Sequence, residues 1–76
     1  MIDFKAPEAI VRRERIRAHL REHGLSINKF EQQHGLYYAS IQKILANQRA
    51  MSYQMACRLS DIIGETRDYW TENSRI

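Results

Sequence analysis

The punctuation of the chain constrains its fold most. Gly24 stands two residues before Ser26, Gly64 stands two residues before Thr66, and Gly35 falls between them. A glycine that ends one helix, followed by a hydroxyl residue that caps the next, cuts a chain into short helices joined by tight turns. Strand signals are absent. There is no alternating β-branched run and no Asn-Gly or Asp-Gly hairpin turn. Helix 1 is expected over residues 7–23, with Pro7 at its first position, Glu8 near its positive end and Gly24 as its stop. Ile16 and Leu20 are spaced i, i+4, and Ala9 lies two turns earlier on the same face. Helix 2 is expected over 27–34, capped by Ser26 and anchored by Phe30. Gly35 supplies the left-handed conformation that a tight turn requires. Helix 3 is expected at about 38–46, helix 4 at about 52–63 after the cap Ser52, and a last short helix at about 67–73 after Thr66. In helix 4, Met55, Leu59 and Ile62 face inward, with Ala56 and Ile63 flanking. Five short helices in 76 residues imply one all-α domain spanning 1–76, because a chain of this size can build only one core.

Charge is distributed unevenly. The net charge is +3, yet no carboxylate occurs from Gln32 to Ser60. Residues 10–21 carry Arg12, Arg13, Arg15, Arg17 and Arg21 against Glu14 alone, and Asp61, Glu65, Asp68 and Glu72 lie towards the end of the chain. As a whole this pattern points to a nucleic-acid partner. On a helical wheel, Ile41, Ile44 and Leu45 form the inner face of helix 3. Ala39, Gln42, Lys43 and Ala46 form the outer face, with Tyr38 and Ser40 flanking and Tyr37 at the start. Glutamine can bond an adenine edge in two places and lysine can bond guanine, whereas a carboxylate there would be repelled by phosphate. The candidate base contacts are therefore Tyr37, Tyr38, Ala39, Ser40, Gln42 and Lys43. The candidate phosphate contacts are Asn28 and Lys29 at the start of helix 2, and Asn47, Gln48, Arg49, Ser52 and Tyr53 after helix 3.

The order "SINKFEQQ-HG-LYYASIQKILAN" followed by "MSYQMACRLSDIIGETRDYW" resembles the lambda-repressor/Cro-like (XRE) helix-turn-helix family, and within it the HigA-type antitoxin branch. The resemblance covers residues 16–70, with the helix-turn-helix at about 26–46. It rests on Ser26, Gly35, Ile41 and Ile44, and on the Ser52, Ala56, Leu59, Ile63-Gly64, Thr66 and Tyr69-Trp70 series. It implies a five-helix DNA-binding domain with helix 3 in the major groove and Trp70 in the core. The implied function is a sequence-specific repressor, a homodimer on a palindromic operator. Such a repressor would be autoregulatory, and phage or mobile-element encoded, the small repressors beside anti-CRISPR genes included. The alternatives are a HigA-like antitoxin that also binds a toxin through helix 1 and its N-terminal extension, and a protein-interaction module without DNA binding. The chain departs from the family pattern where Glu31 replaces the alanine in the middle of helix 2 and His34 replaces the apolar residue before the turn. Both changes bear on how tightly helices 2 and 3 pack. Tyr69 or Ile76 is the expected dimer contact.

Other chemistry finds little support. His19 and His23 have the i, i+4 spacing that can hold zinc, but no cysteine or carboxylate pair joins them, so no metal or cofactor is expected. No nucleophile–base pattern or phosphate-binding loop occurs, so no enzymatic activity is expected. The single Cys57 precludes an internal disulfide. No apolar run reaches the roughly 18–20 residues of a membrane span, and the N-terminus lacks the features of a secretory signal. A cytoplasmic setting, in a bacterium or a phage-infected cell, is the expectation.

Overall fold

Helix caps set the architecture of the computed structural model, which describes residues 3–72. Five α-helices follow in order: α1 (Pro7–Glu22), α2 (Ile27–Gln33), α3 (Ser40–Leu45), α4 (Tyr53–Ile62) and α5 (Arg67–Trp70). There is no strand among the described residues. The three expected N-caps form. Ser26 Oγ accepts from the Lys29 amide at 3.1 Å, Ser52 Oγ from Met55 at 3.2 Å, and Thr66 Oγ1 from Tyr69 at 3.1 Å. Each satisfies one of the amides that a helix start leaves unpaired, worth about 1 kcal/mol.

The first three helices end alike. Leu25 N bonds Leu20 O at 2.9 Å, Leu36 N bonds Glu31 O at 2.8 Å, and Gln48 N bonds Lys43 O at 2.9 Å. In each case the residue before the donor has a positive φ: Gly24, Gly35 and Asn47. This closure turns the chain sharply while pairing the last carbonyls. At Asn47 (φ 62) the short polar side chain tolerates a conformation that most residues avoid.

Two boundaries differ from the sequence expectation by more than one residue. Helix 3 begins at Ser40 rather than 38, because Ala39 is left-handed (φ 64) and Tyr37 and Tyr38 belong to the preceding turn. Helix 5 ends at Trp70 rather than 73. Thr71 is extended, and the Glu72 amide donates to Met51 O at 3.1 Å, so the chain leaves the helix to dock on the α3–α4 loop.

The core collects Ile16 and Leu20 from α1, Phe30 from α2, Ile41, Ile44 and Leu45 from α3, Met51, Ala56 and Leu59, and Trp70 from α5. Ala9 is also buried, as its position on the Ile16 face of α1 implies. Met55, Ile62 and Ile63 pack against this core and remain partly exposed. Trp70 is fully buried, and its indole N–H donates to Gly64 O at 2.7 Å, so burial leaves no orphan donor. The radius of gyration is 11.6 Å, against about 11 Å for a compact chain of this length.

A charged cluster sits inside this apolar shell. Arg13 is only 3 % exposed and Glu72 7 %. The Arg13 guanidinium makes a two-pronged contact with the Glu72 carboxylate at 2.6 and 2.9 Å, and it also donates to Ile44 O and Ala9 O. Arg12 donates to Glu72 at 3.1 Å and to Tyr69 O. The Met51 amide donates to Glu72 at 3.0 Å. Burial alone would raise the Glu72 carboxyl, but the bonds from Arg13, the Met51 amide and Arg12 outweigh it and hold the group below the usual glutamate range. Glu72 is therefore not part of a solvated acidic tail. It is the knot that ties α1, the α3–α4 loop and the end of α5 together.

Candidate functional site

The α3 helix has six residues. A helix this short is unstable alone, because nucleation costs more than so few bonds return. Its position must come from its surroundings, and three sets of contacts supply it. The inner face buries Ile41, Ile44 and Leu45, as the wheel requires. At the C-terminal end, Arg13 Nε donates to Ile44 O at 2.9 Å and Arg17 donates to Leu45 O at 3.0 Å. At the N-terminal end, Ala39 offers no side-chain cap. The buried Glu31 carboxylate takes that role from α2, accepting from Ala39 N at 2.9 Å, Ile41 N at 2.8 Å and Gln42 N at 3.2 Å. An anion thus meets the positive end of the helix and cations meet its negative end; Glu31 and Arg13 are buried, where screening is weak, and Arg17 is partly exposed.

This arrangement answers the question that Glu31 raised in the sequence. At 2 % exposure Glu31 faces inward and joins α2 to α3 through hydrogen bonds rather than apolar contact. His34 keeps its ring against Phe30, with centroids 4.8 Å apart, and its carbonyl accepts from Arg58.

The outward side of α3 carries Gln42, Lys43 and Ala46, all exposed. Tyr37 and Tyr38 are 84 % and 85 % exposed and project from the turn just before it. Ala39 is half-buried. Ser40 departs from its expected role as a base contact. It is 3 % exposed and its hydroxyl donates to Tyr37 O at 2.7 Å, because it stands one turn from the buried Ile44 on the same face. Around this surface, Asn28 and Lys29 are exposed at the start of α2, and Asn47, Gln48 and Arg49 are exposed in the loop after α3. Ser52 and Tyr53 open α4. The Ser52 oxygen accepts a backbone N–H and the Tyr53 hydroxyl accepts from Arg67 at 3.1 Å, so each retains a proton to donate. Lys29, Lys43 and Arg49 take no part in the ion pairs among the described residues. A groove of about 810 Å³ separates the α2–α3 turn from α4 and is lined by Leu36, Tyr37, Arg49, Ser52, Tyr53 and Arg58, among others.

The arginines of α1 behave differently from the charge pattern's suggestion of a basic face. Arg12 and Arg13 bind Glu72, Arg15 pairs with Glu65 at 2.8 Å, and Arg17 contacts Glu14 and Leu45 O. Tyr69, expected to reach a partner subunit, packs its ring edge-on against Trp70 with Arg12 and Arg15 each 5.9 Å from its centroid. Its ring is thus largely engaged within its own chain. Ile76 lies outside the described residues.

The His19 and His23 rings lie 4.3 Å apart, and His19 also meets Phe30 edge-on. Burial, and then the nearby His23, push the His19 imidazole below its ordinary value. No group of three or more His, Cys, Asp and Glu side chains is placed to hold a metal ion among the described residues. Among the same residues no helix is long and apolar enough to cross a membrane. No family model, no curated protein and no solved structure matches this chain.

Arg12, Arg13, Arg17 and Glu72 shape the site and were read in the sequence only as charges, and Glu31 only as a departure from the family pattern. A signal existed for Glu31. It directly follows the core anchor Phe30, at a position where a carboxylate is worth explaining, and it is the last acid before a long acid-free stretch.

Proposed function

We propose that the protein is a sequence-specific DNA-binding repressor that acts as a homodimer on a palindromic operator. In this reading α2 and α3 form a helix-turn-helix, and α3 enters the major groove. One observation carries it. A short helix held at both ends by buried charges presents Gln42 and Lys43 outward, flanked by Lys29 and Arg49, which form no ion pair among the described residues, and by two exposed tyrosines, with no acid from residue 32 to 60. Side chains able to bond base edges thus stand on or beside a helix tied at both ends, and side chains able to bond phosphate surround it, which supports this reading.

The base contacts proposed are Tyr37, Tyr38, Gln42 and Lys43, with Ala39 allowing close approach. The buried Ser40 drops out. Phosphates are held by Lys29, Asn28, Asn47, Gln48, Arg49, Ser52 and Tyr53. A single 76-residue unit reads one half-site. Two-fold symmetry, with reading helices about 34 Å apart, supplies the rest of the affinity. The resemblance of residues 16–70 to lambda-repressor/Cro-like proteins supports the same reading.

A second reading, a HigA-like antitoxin that also binds a toxin protein, is favoured by Ile10 and Val11. Both are 50 % exposed on α1, where an additional partner would find apolar surface.

Selection from a pool of random duplexes, followed by binding titrations at several salt concentrations, tests the proposal. A palindromic consensus, a binding constant that falls with salt, and a dimer by light scattering are the expected results. A chain that enriches no sequence and ignores salt refutes DNA reading, and a stable monomer bound to a single half-site refutes the symmetric arrangement.

A further inference from the structure

Residues 39, 41 and 42 begin the proposed reading helix, and all three amides point at one carboxylate on another helix. A helix normally caps its own second and third amides with the side chain at its N-cap position. Here that position is Ala39, left-handed and without a polar group. The substitute is Glu31, eight residues earlier on α2. One carboxylate oxygen accepts from Ala39 N at 2.9 Å and the other from Ile41 N at 2.8 Å and Gln42 N at 3.2 Å. Three donors on one planar, buried group define the rotation of α3 about its axis as well as its distance from α2. The third donor is the backbone of Gln42 itself, and Lys43 follows it.

We infer that Glu31 is a positioning residue for sequence discrimination, an inference that rests on the DNA-binding reading above. Base-edge bonds are short and directional, so they depend on how α3 is turned. Phosphate contacts from Lys29, Gln48, Arg49 and Tyr53 arise on α2, the α3–α4 loop and α4, and long flexible cations tolerate small displacements. The other end of α3 stays tied through Arg13 and Arg17. Loss of the Glu31 carboxylate therefore loosens the orientation of the Gln42–Lys43 face while leaving the cationic surroundings in place. A residue serving only to hold the fold together would lower specific and non-specific binding alike.

Glu31→Gln is the direct test, because it keeps the shape but puts an N–H donor where an oxygen now accepts. The probes are a duplex enriched from a random pool by the wild-type protein and a random-sequence duplex of the same length, titrated at one salt concentration. Circular dichroism and thermal unfolding establish that the variant is folded. The expected result is a tenfold or greater loss in the ratio of selected to random binding, with random-duplex affinity within about twofold of wild type. Glu31→Asp, which keeps the charge but shortens the reach by one methylene, should fall between the two. An unchanged ratio in folded Glu31→Gln overturns the inference and leaves the DNA-binding reading intact. Loss of folding in both variants assigns Glu31 to stability alone and also overturns it. A wild-type protein that enriches no duplex overturns the DNA-binding reading, and this inference with it.

Discussion

The α1 and α3 helices make opposite use of charge. The longer helix carries five arginines, of which Arg12, Arg13, Arg15 and Arg17 all meet acceptors in the same chain. The shorter helix carries one cation, Lys43, and that one is exposed and outside any ion pair among the described residues. The density of positive residues in a sequence therefore points away from the surface where positive charge remains available. Arginine suits the first role, since its planar fork matches a carboxylate and reaches several carbonyls at once. The second role needs sparse, accessible side chains on an element that cannot turn. Part of the charge on α1 exists to hold α3 still.

Breaking the buried end of this division should have the largest effect. Arg13→Ala leaves the Glu72 carboxylate buried without its main partner. A loss of about 3–5 kcal/mol is expected, seen as a fall in melting temperature of tens of degrees or failure to fold. Pairing Arg13→Met with Glu72→Leu should recover part of the loss, since the buried carboxylate is then removed along with its main partner. Recovery will be incomplete, because the Met51 amide and Arg12 also bond Glu72.

On α3 the effect should be on recognition instead of stability. Gln42→Ala and Lys43→Ala should each weaken binding to the selected duplex by about 1–3 kcal/mol and relax preference at one or two base pairs. Their melting temperatures should stay near wild type, because both side chains are exposed. Titration against single-base variants of the duplex reads this out. Unchanged preference in both variants would sink the assignment of α3 as the reading helix.

Arg49→Ala sharpens the contrast further. Its side chain is exposed beside α3, whereas only its carbonyl takes part in the Arg13 network. The slope of log K against log salt should flatten by about one unit for one lost phosphate contact. Arg15→Ala on α1 should leave that slope unchanged.

Acid titration separates two groups packed against α1, the His19 ring and the Glu72 carboxylate. His19 has its folded value lowered from 6.5. Its contribution to stability is complete above 6.5 and is lost as pH falls through the lower folded value. Glu72 is likewise lowered, from 4.5, so its contribution is present above 4.5 and is lost at still lower pH. Stability followed by thermal unfolding should decline in two stages on acidification, and His19→Gln should remove the first stage only. The smallest effect belongs to the exposed Arg15–Glu65 pair. Arg15→Ala should cost about 0–1 kcal/mol, less in high salt.

The caps and the faces were legible in the sequence. Ser26, Ser52 and Thr66 form the bonds expected of them, Gly24 and Gly35 end their helices, and Ile41, Ile44 and Leu45 face inward. These features depend on neighbours within about four residues, or on a period of 3.6, and both are written into a linear chain. The start of α3 was less legible. A left-handed alanine has no local signature, and it occurs here because Glu31 holds its amide.

By itself the sequence determined an all-helical chain, its N-caps and glycine stops, its apolar faces and an acid-free middle. The tertiary structure alone decided which charges are available. Arg13 and Glu72 are 59 residues apart along the chain, and Glu31 and Gln42 are 11 apart across a turn. A charged residue looks the same in a sequence whether it will be solvated or buried against a partner. Only the packing of α1, α2 and the end of α5 around α3 makes the difference, because a charge is retained inside a protein only where other elements bring it opposite charge and hydrogen bonds.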